Sequence, residues 1–93
     1  MSYRVEWRKR SLHFLQGAIE FASDRAEGWK VISSFREAQL ILEDRPDEAG
    51  ESREDKARVL IAGNLAVFYE VFEEPETVLV YRIHYRGYPK IDV

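Results

Sequence analysis

The chain has 93 residues, the size of one small domain. Its apolar fraction of 45% is enough for a single core, and with no cysteine it can form neither disulfides nor a thiolate metal site. A net charge of −3, from 14 basic and 17 acidic side chains, argues against a general nucleic-acid binder.

The charge is unevenly spread. Arg4, Arg8, Lys9 and Arg10 cluster near the start, Arg82, Arg86 and Lys90 lie near the end, and acids concentrate between Glu43 and Asp55. An acidic chain can therefore still present one basic face. No apolar run approaches the roughly 18 residues that span a bilayer. The opening Met-Ser-Tyr-Arg-Val-Glu-Trp-Arg carries charges where a signal peptide needs an apolar core. The expectation is a soluble cytoplasmic protein with no membrane contact.

Tyr3 to Arg8 alternates strictly, with Tyr3, Val5 and Trp7 on one side and Arg4, Glu6 and Arg8 on the other. That is the pattern of a half-buried strand. Ser11 then offers an N-cap. From Leu12 the period becomes helical: Leu12, Leu15, Ile19 and Ala22 share a stripe, flanked by Phe14, Ala18 and Phe21. Ser23-Asp24 breaks this helix. A second one runs from about Arg25 to Asp44, with Trp29, Val31, Ile32, Phe35, Ala38 and Leu42 at helical spacing. Trp7 and Trp29 read as core. Arg45-Pro46 stops the second helix, and the charged stretch Asp47 to Asp55 reads as an exposed loop of low order.

The stretch from Ala57 to Tyr85 organises the rest. Three runs rich in β-branched and aromatic residues are separated by Gly63-Asn64, a two-residue hairpin signal, and by the polar turn Glu73-Glu74-Pro75-Glu76. This is a three-stranded antiparallel meander. Both sides of its middle run are largely apolar, so that strand is central. In the last run Leu79, Tyr81, Ile83 and Tyr85 alternate with Val78, Val80, Arg82 and His84. Tyr69 reads as core. The predicted order is β-α-α-β-β-β: an α+β fold with a mainly antiparallel four-stranded twisted sheet and an αα-hairpin on one face, as a single domain over 1–93.

Several chemistries have no support. There is no glycine-rich phosphate loop, no serine in a nucleophile elbow, and His13 and His84 are not spaced as metal ligands. No cofactor is expected.

Element order and placed residues together resemble the RelE/ParE family of bacterial toxins from type II toxin–antitoxin systems, a group that includes plasmid stabilisation proteins. The resemblance spans nearly the whole chain. It rests on Tyr3-Arg4-Val5-Glu6-Trp7, the helix pair closing on Leu42 to Pro46, Gly50, and Ala57-Arg58-Val59-Leu60. It continues through Gly63, Val67-Phe68-Tyr69-Glu70-Val71 and Val78 to Arg86. It implies a growth-inhibiting toxin held by a cognate antitoxin, as a homodimer or a toxin–antitoxin hetero-oligomer. RelE-like members are metal-independent endoribonucleases that cut messenger RNA on the ribosome. ParE-like members are non-enzymatic inhibitors of DNA gyrase.

The resemblance carries the ribonuclease's basic pair onto Lys56 and Arg58, and its last arginine onto Arg86. Chemically, Lys56 would act as base once neighbouring Arg58 lowered its pKa, and Arg86 would hold the scissile phosphate. The pattern also wants an arginine three residues before Tyr69, where this chain has Ala66. Loss of one such clamp costs on the order of a hundredfold in rate. The family's C-terminal tyrosine would have to be Tyr85 or Tyr88. These departures tilt the expectation toward a gyrase-directed or weakly catalytic member. Arg4, Arg8, Arg82, Tyr85 and Tyr88 are the candidate binding residues. Arg58 and Arg82 read equally well as cover for exposed strand faces, and a non-toxic binding module that keeps the fold is the alternative function.

Overall fold

A computed structural model describes residues 2–22, 25–53 and 56–85. The elements are β1 (Arg4–Trp7), α1 (Lys9–Phe21), α2 (Arg25–Asp44), β2 (Glu51–Ser52), β3 (Ala57–Ala62), β4 (Leu65–Glu73) and β5 (Glu76–Tyr85). They form a five-stranded mixed sheet in the order β1-β5-β4-β3-β2, with both helices on one face. The meander and the helix pair are as the periodicity predicts.

The sheet differs in two details from the expected mainly antiparallel, four-stranded one. β1 runs parallel to β5, from Arg4 opposite Thr77 to Trp7 opposite Val80. Alternation along β1 is the same in either direction, so its own pattern could not fix its sense. The second departure is β2, whose Glu51 and Ser52 pair with Val59 and Arg58 inside the expected loop. Its residues are polar and exposed because it is a short edge strand.

β5 contains a bulge. Phe68 faces Arg82 and Tyr69 faces Val80, so Tyr81 is left without an opposite residue on β4. The extra residue flips the alternation. Val78 and Val80 face the helices before it, and Ile83 and Tyr85 after it, all of them in the core. The simple alternation read from sequence fails at this point. Without the bulge Arg82 would share the side of Val78 and Val80; with it, Arg82 and His84 join Leu79 on the uncovered face.

α1 starts earlier than its apolar stripe implies. The Arg8 amide donates to the Val80 carbonyl at 3.0 Å, and Arg8 occupies the N-cap. Ser11, read as the cap, is instead buried inside the first turns. Leu15 and Ala18 of α1, with Val31, Ala38 and Leu42 of α2, pack onto Leu60, Leu65, Val67, Tyr69, Val78 and Val80. Trp7 stacks on Phe35 with ring centroids 4.6 Å apart and donates to Gln39 at 2.6 Å. Trp29 is not core: it is 59% exposed on the outer side of the helix pair.

Two glycines are required by close approach. Gly63 opens the β3–β4 turn at φ 57°, and a Cβ there would overlap the Ser34 hydroxyl, which binds Asn64 at the same turn. Gly50, at φ 75°, would drive a Cβ into the Val59 carbonyl.

Candidate functional site

Among the described residues no element lies over the sheet's second face. Residue pairing across the ladders puts Val59 and Ile61 of β3, Ala66, Phe68, Glu70 and Phe72 of β4, and Leu79, Arg82 and His84 of β5 on that side. Arg4 and Glu6 join them from β1 and form an exposed ion pair at 3.1 Å. Such a pair contributes little stability. Apolar groups without a covering layer need other shelter, and here cations supply it. The Arg82 guanidinium lies 5.2 Å from the Phe68 ring centre, and Lys56 Nζ lies 5.6 Å from that of Phe72.

Ala66 sits in the middle of this face, between Ile61 and His84, and is 7% exposed. A methyl group occupies the place where the resemblance wants an arginine.

Arg58 is on the opposite, helix-covered face, paired with Tyr69. Its guanidinium donates to the Gly50 carbonyl at 3.1 Å and to that of Ala49 at 3.4 Å. The Tyr69 hydroxyl reaches the Pro46 carbonyl at 2.7 Å and the Ala49 carbonyl at 2.6 Å. Burial raises the Tyr69 phenol above its ordinary pKa, against the opposing pull of Arg58. Together the two side chains clasp the segment after α2 onto the end of the core. Lys56 and Arg58 are therefore not gathered into one site: one lies over Phe72, the other holds a loop.

Of the remaining candidates, Tyr85 is buried, and its hydroxyl hydrogen-bonds Glu27 of α2. Arg86, Tyr88 and Lys90 lie outside the described residues. Arg8 and Arg82 are brought together. With Arg10, Ser11, Phe14 and His84 they wall a cleft of about 420 Å³ between the start of α1 and the bulged half of β5. A second groove, of about 320 Å³, runs along the outside of the helix pair past Ile19, Gly28, Trp29 and Ile32. Among the described residues no cluster of His, Asp or Glu is arranged to hold a metal ion.

Sequence reasoning missed Phe68 and Phe72 as ring platforms. Their two-residue spacing around Glu70 is the signal that could have found them. It also missed Ser11 in the cleft, for which the sequence holds no signal.

No protein-family model matches the sequence, and no relative was found among curated proteins. Solved structures do match. A chain of the archaeal RelE–RelB complex from Pyrococcus horikoshii OT3 is 23% identical, with a TM-score of 0.62 over 96% of this chain and 100% of that one. The chain has the RelE/ParE toxin fold. The toxin–antitoxin complex RelBE2 from Mycobacterium tuberculosis matches at 18% identity and TM-score 0.64, over 92% of this chain and 100% of its own. The chromosomal ParDE system of P. aeruginosa matches at 12% identity and TM-score 0.65, over 90% and 96%. These likenesses span both RelE and ParE, so the fold alone does not choose between the two biochemistries. Among the described residues no helix of this RelE/ParE fold is long and apolar enough to cross a membrane.

Proposed function

We propose that the chain is the toxin of a type II toxin–antitoxin pair, acting in the cytoplasm and held inactive by a cognate antitoxin. The observation that carries this reading is the uncovered sheet face of a RelE/ParE fold, with Arg82 and Lys56 laid over Phe68 and Phe72. A basic, ring-studded surface on an acidic protein calls for a specific partner rather than bulk charge. The outer groove of the helix pair fits the antitoxin. Trp29, 59% exposed, lines it with Ile19 and Ile32, an apolar seat for an amphipathic helix.

Within that reading the target is DNA gyrase, engaged without catalysis. Ala66 supplies no charge to a phosphorane at the centre of the open face, and Arg58 is committed to the Ala49 and Gly50 carbonyls. A metal-independent RNA cleavage would be left with few cations where charge develops. The same two facts favour the second reading, a non-toxic binding module.

Induction of the chain alone in a bacterial host decides between toxin and module. Arrested growth, relieved by co-expression of a small acidic protein encoded beside it, supports the toxin; normal growth with abundant folded protein rejects it. Supercoiling by purified gyrase should fall on addition of the chain. Messenger cleavage in a purified translation system, with gyrase unaffected, would reverse the choice of target.

A further inference from the structure

We infer that the cleft between the first turn of α1 and the bulged half of β5 binds a phosphate monoester. The assignment is independent of toxicity. β1 ends opposite Val80, and from Lys9 the chain is helical. β5 continues to Tyr85 with β4 on one side and no β1 residue on the other. The cleft opens in that gap.

Three features converge there. Arg8, Arg10 and Arg82 line the cleft; among the described residues no carboxylate does, and none of the three arginines has an ion pair. The first turn of α1 carries no acid, and its N-cap residue, Arg8, makes no side-chain capping bond. The leading amides of that turn are left without helical acceptors, at the positive end of the helix dipole. Placing basic side chains at that end is unfavourable until an anion joins them. The third feature is Ser11. It is 1% exposed, lines the cleft, and its Oγ has no hydrogen-bond partner among the described residues. A buried hydroxyl left unpaired is costly, and a ligand oxygen is one remedy.

Donor number selects the chemistry. One guanidinium fork saturates a carboxylate. Three forks, a helix terminus and a hydroxyl suit a dianion with three terminal oxygens, which a phosphate monoester provides. The volume, about 420 Å³, leaves room beyond the phosphate for an organic body against Phe14 and Tyr81. The ligand class is a nucleoside monophosphate, either free or as the phosphorylated end of a nucleic acid.

The test is a nitrogen-15 NMR titration of the full chain with AMP, adenosine, inorganic phosphate, a 5′-phosphorylated dinucleotide and a glutamate-rich peptide. AMP should move the amides of Lys9, Arg10, Ser11 and His84, and adenosine should not. Arg8→Gln and Arg10→Gln should each weaken AMP by about tenfold, the effect of one charge-assisted contact. Ser11→Ala should weaken AMP without lowering the melting temperature, which a purely structural hydroxyl would not allow. Tighter binding of the dinucleotide points to a nucleic-acid end as the source; equal or weaker binding points to the free nucleotide. The site is overturned if AMP and phosphate leave those amides unmoved, if Arg10→Gln binds AMP as the native chain does, or if the acidic peptide displaces AMP at lower concentration.

Discussion

The two faces of this sheet are written in the same strands and put to different uses. On the helix side, polar groups are consumed internally: Arg58 and Tyr69 spend their hydrogen bonds on the carbonyls of Pro46, Ala49 and Gly50. On the open side, Lys56 and Arg82 rest on aromatic rings and keep their charge toward solvent. Residue type does not distinguish the two arginines. Parity along the strand does, and a single bulge at Tyr81 decides it for Arg82. Substitutions on the covered side should therefore be read in stability, and those on the open side in binding.

The sharpest way to break that division is Gly50→Ala. The left-handed backbone and the overlap with the Val59 carbonyl together should cost about 3 kcal/mol. For a domain of this size that lowers the melting temperature by more than about 10 °C. A variant melting within a few degrees of the native chain would mean the segment after α2 is not held as described.

Tyr69→Phe comes next. It removes the hydroxyl that Pro46 and Ala49 accept and leaves a buried carbonyl short of a donor, at a cost of about 1–3 kcal/mol. Denaturant unfolding measures it. A loss of partner binding with unchanged stability would move Tyr69 from the clasp to the functional surface.

The meander was legible because its apolar runs have a period of two and end on Gly63-Asn64 and Pro75. The helix pair was legible for the analogous reason. The bulge was not, because Val78, Leu79, Val80 and Tyr81 are all good strand formers, and period counting cannot say which of them is skipped. β2 escaped because an edge strand of Glu51-Ser52 has no apolar face to betray it. Trp29 was misread because helical spacing reports a stripe but not its width; Val31, Ala38 and Leu42 already fill the seam. The basic pair at Lys56 and Arg58 came from the family resemblance, and regular strand alternation would have put both on one face. Lys56 lies just before β3, where that rule does not apply.

A matched pair sharpens the comparison at smaller amplitude. Arg58→Ala should destabilise by about 1.5 kcal/mol, since its charge-assisted bonds to Ala49 and Gly50 are lost. Lys56→Ala, losing only an exposed contact with Phe72, should fall within about 0.5 kcal/mol. Thermal melts of the two variants measure the gap. Equal losses would erase the distinction between the faces.

The smallest effect is alkaline. The Tyr3 hydroxyl donates to Glu73 at 3.1 Å, near the turn between β4 and β5. Desolvation, then that hydrogen bond and the nearby carboxylates, push the phenol up to about 12. An unfolded tyrosine ionises near 10. Between those values the folded chain keeps a proton that the unfolded chain has lost. The contribution is therefore complete below about pH 10 and is lost as pH rises toward 12. Tyr69, also raised by burial, adds to the same alkaline decline, so the informative quantity is the difference between the native chain and Tyr3→Phe. The variant should lose stability less steeply across that window, measured by denaturant midpoints at successive pH values. Identical slopes would mean that the phenol of Tyr3 ionises as freely in the folded chain as in the unfolded one, and that its bond to Glu73 does not hold the start of β1 against the rim of the covered face.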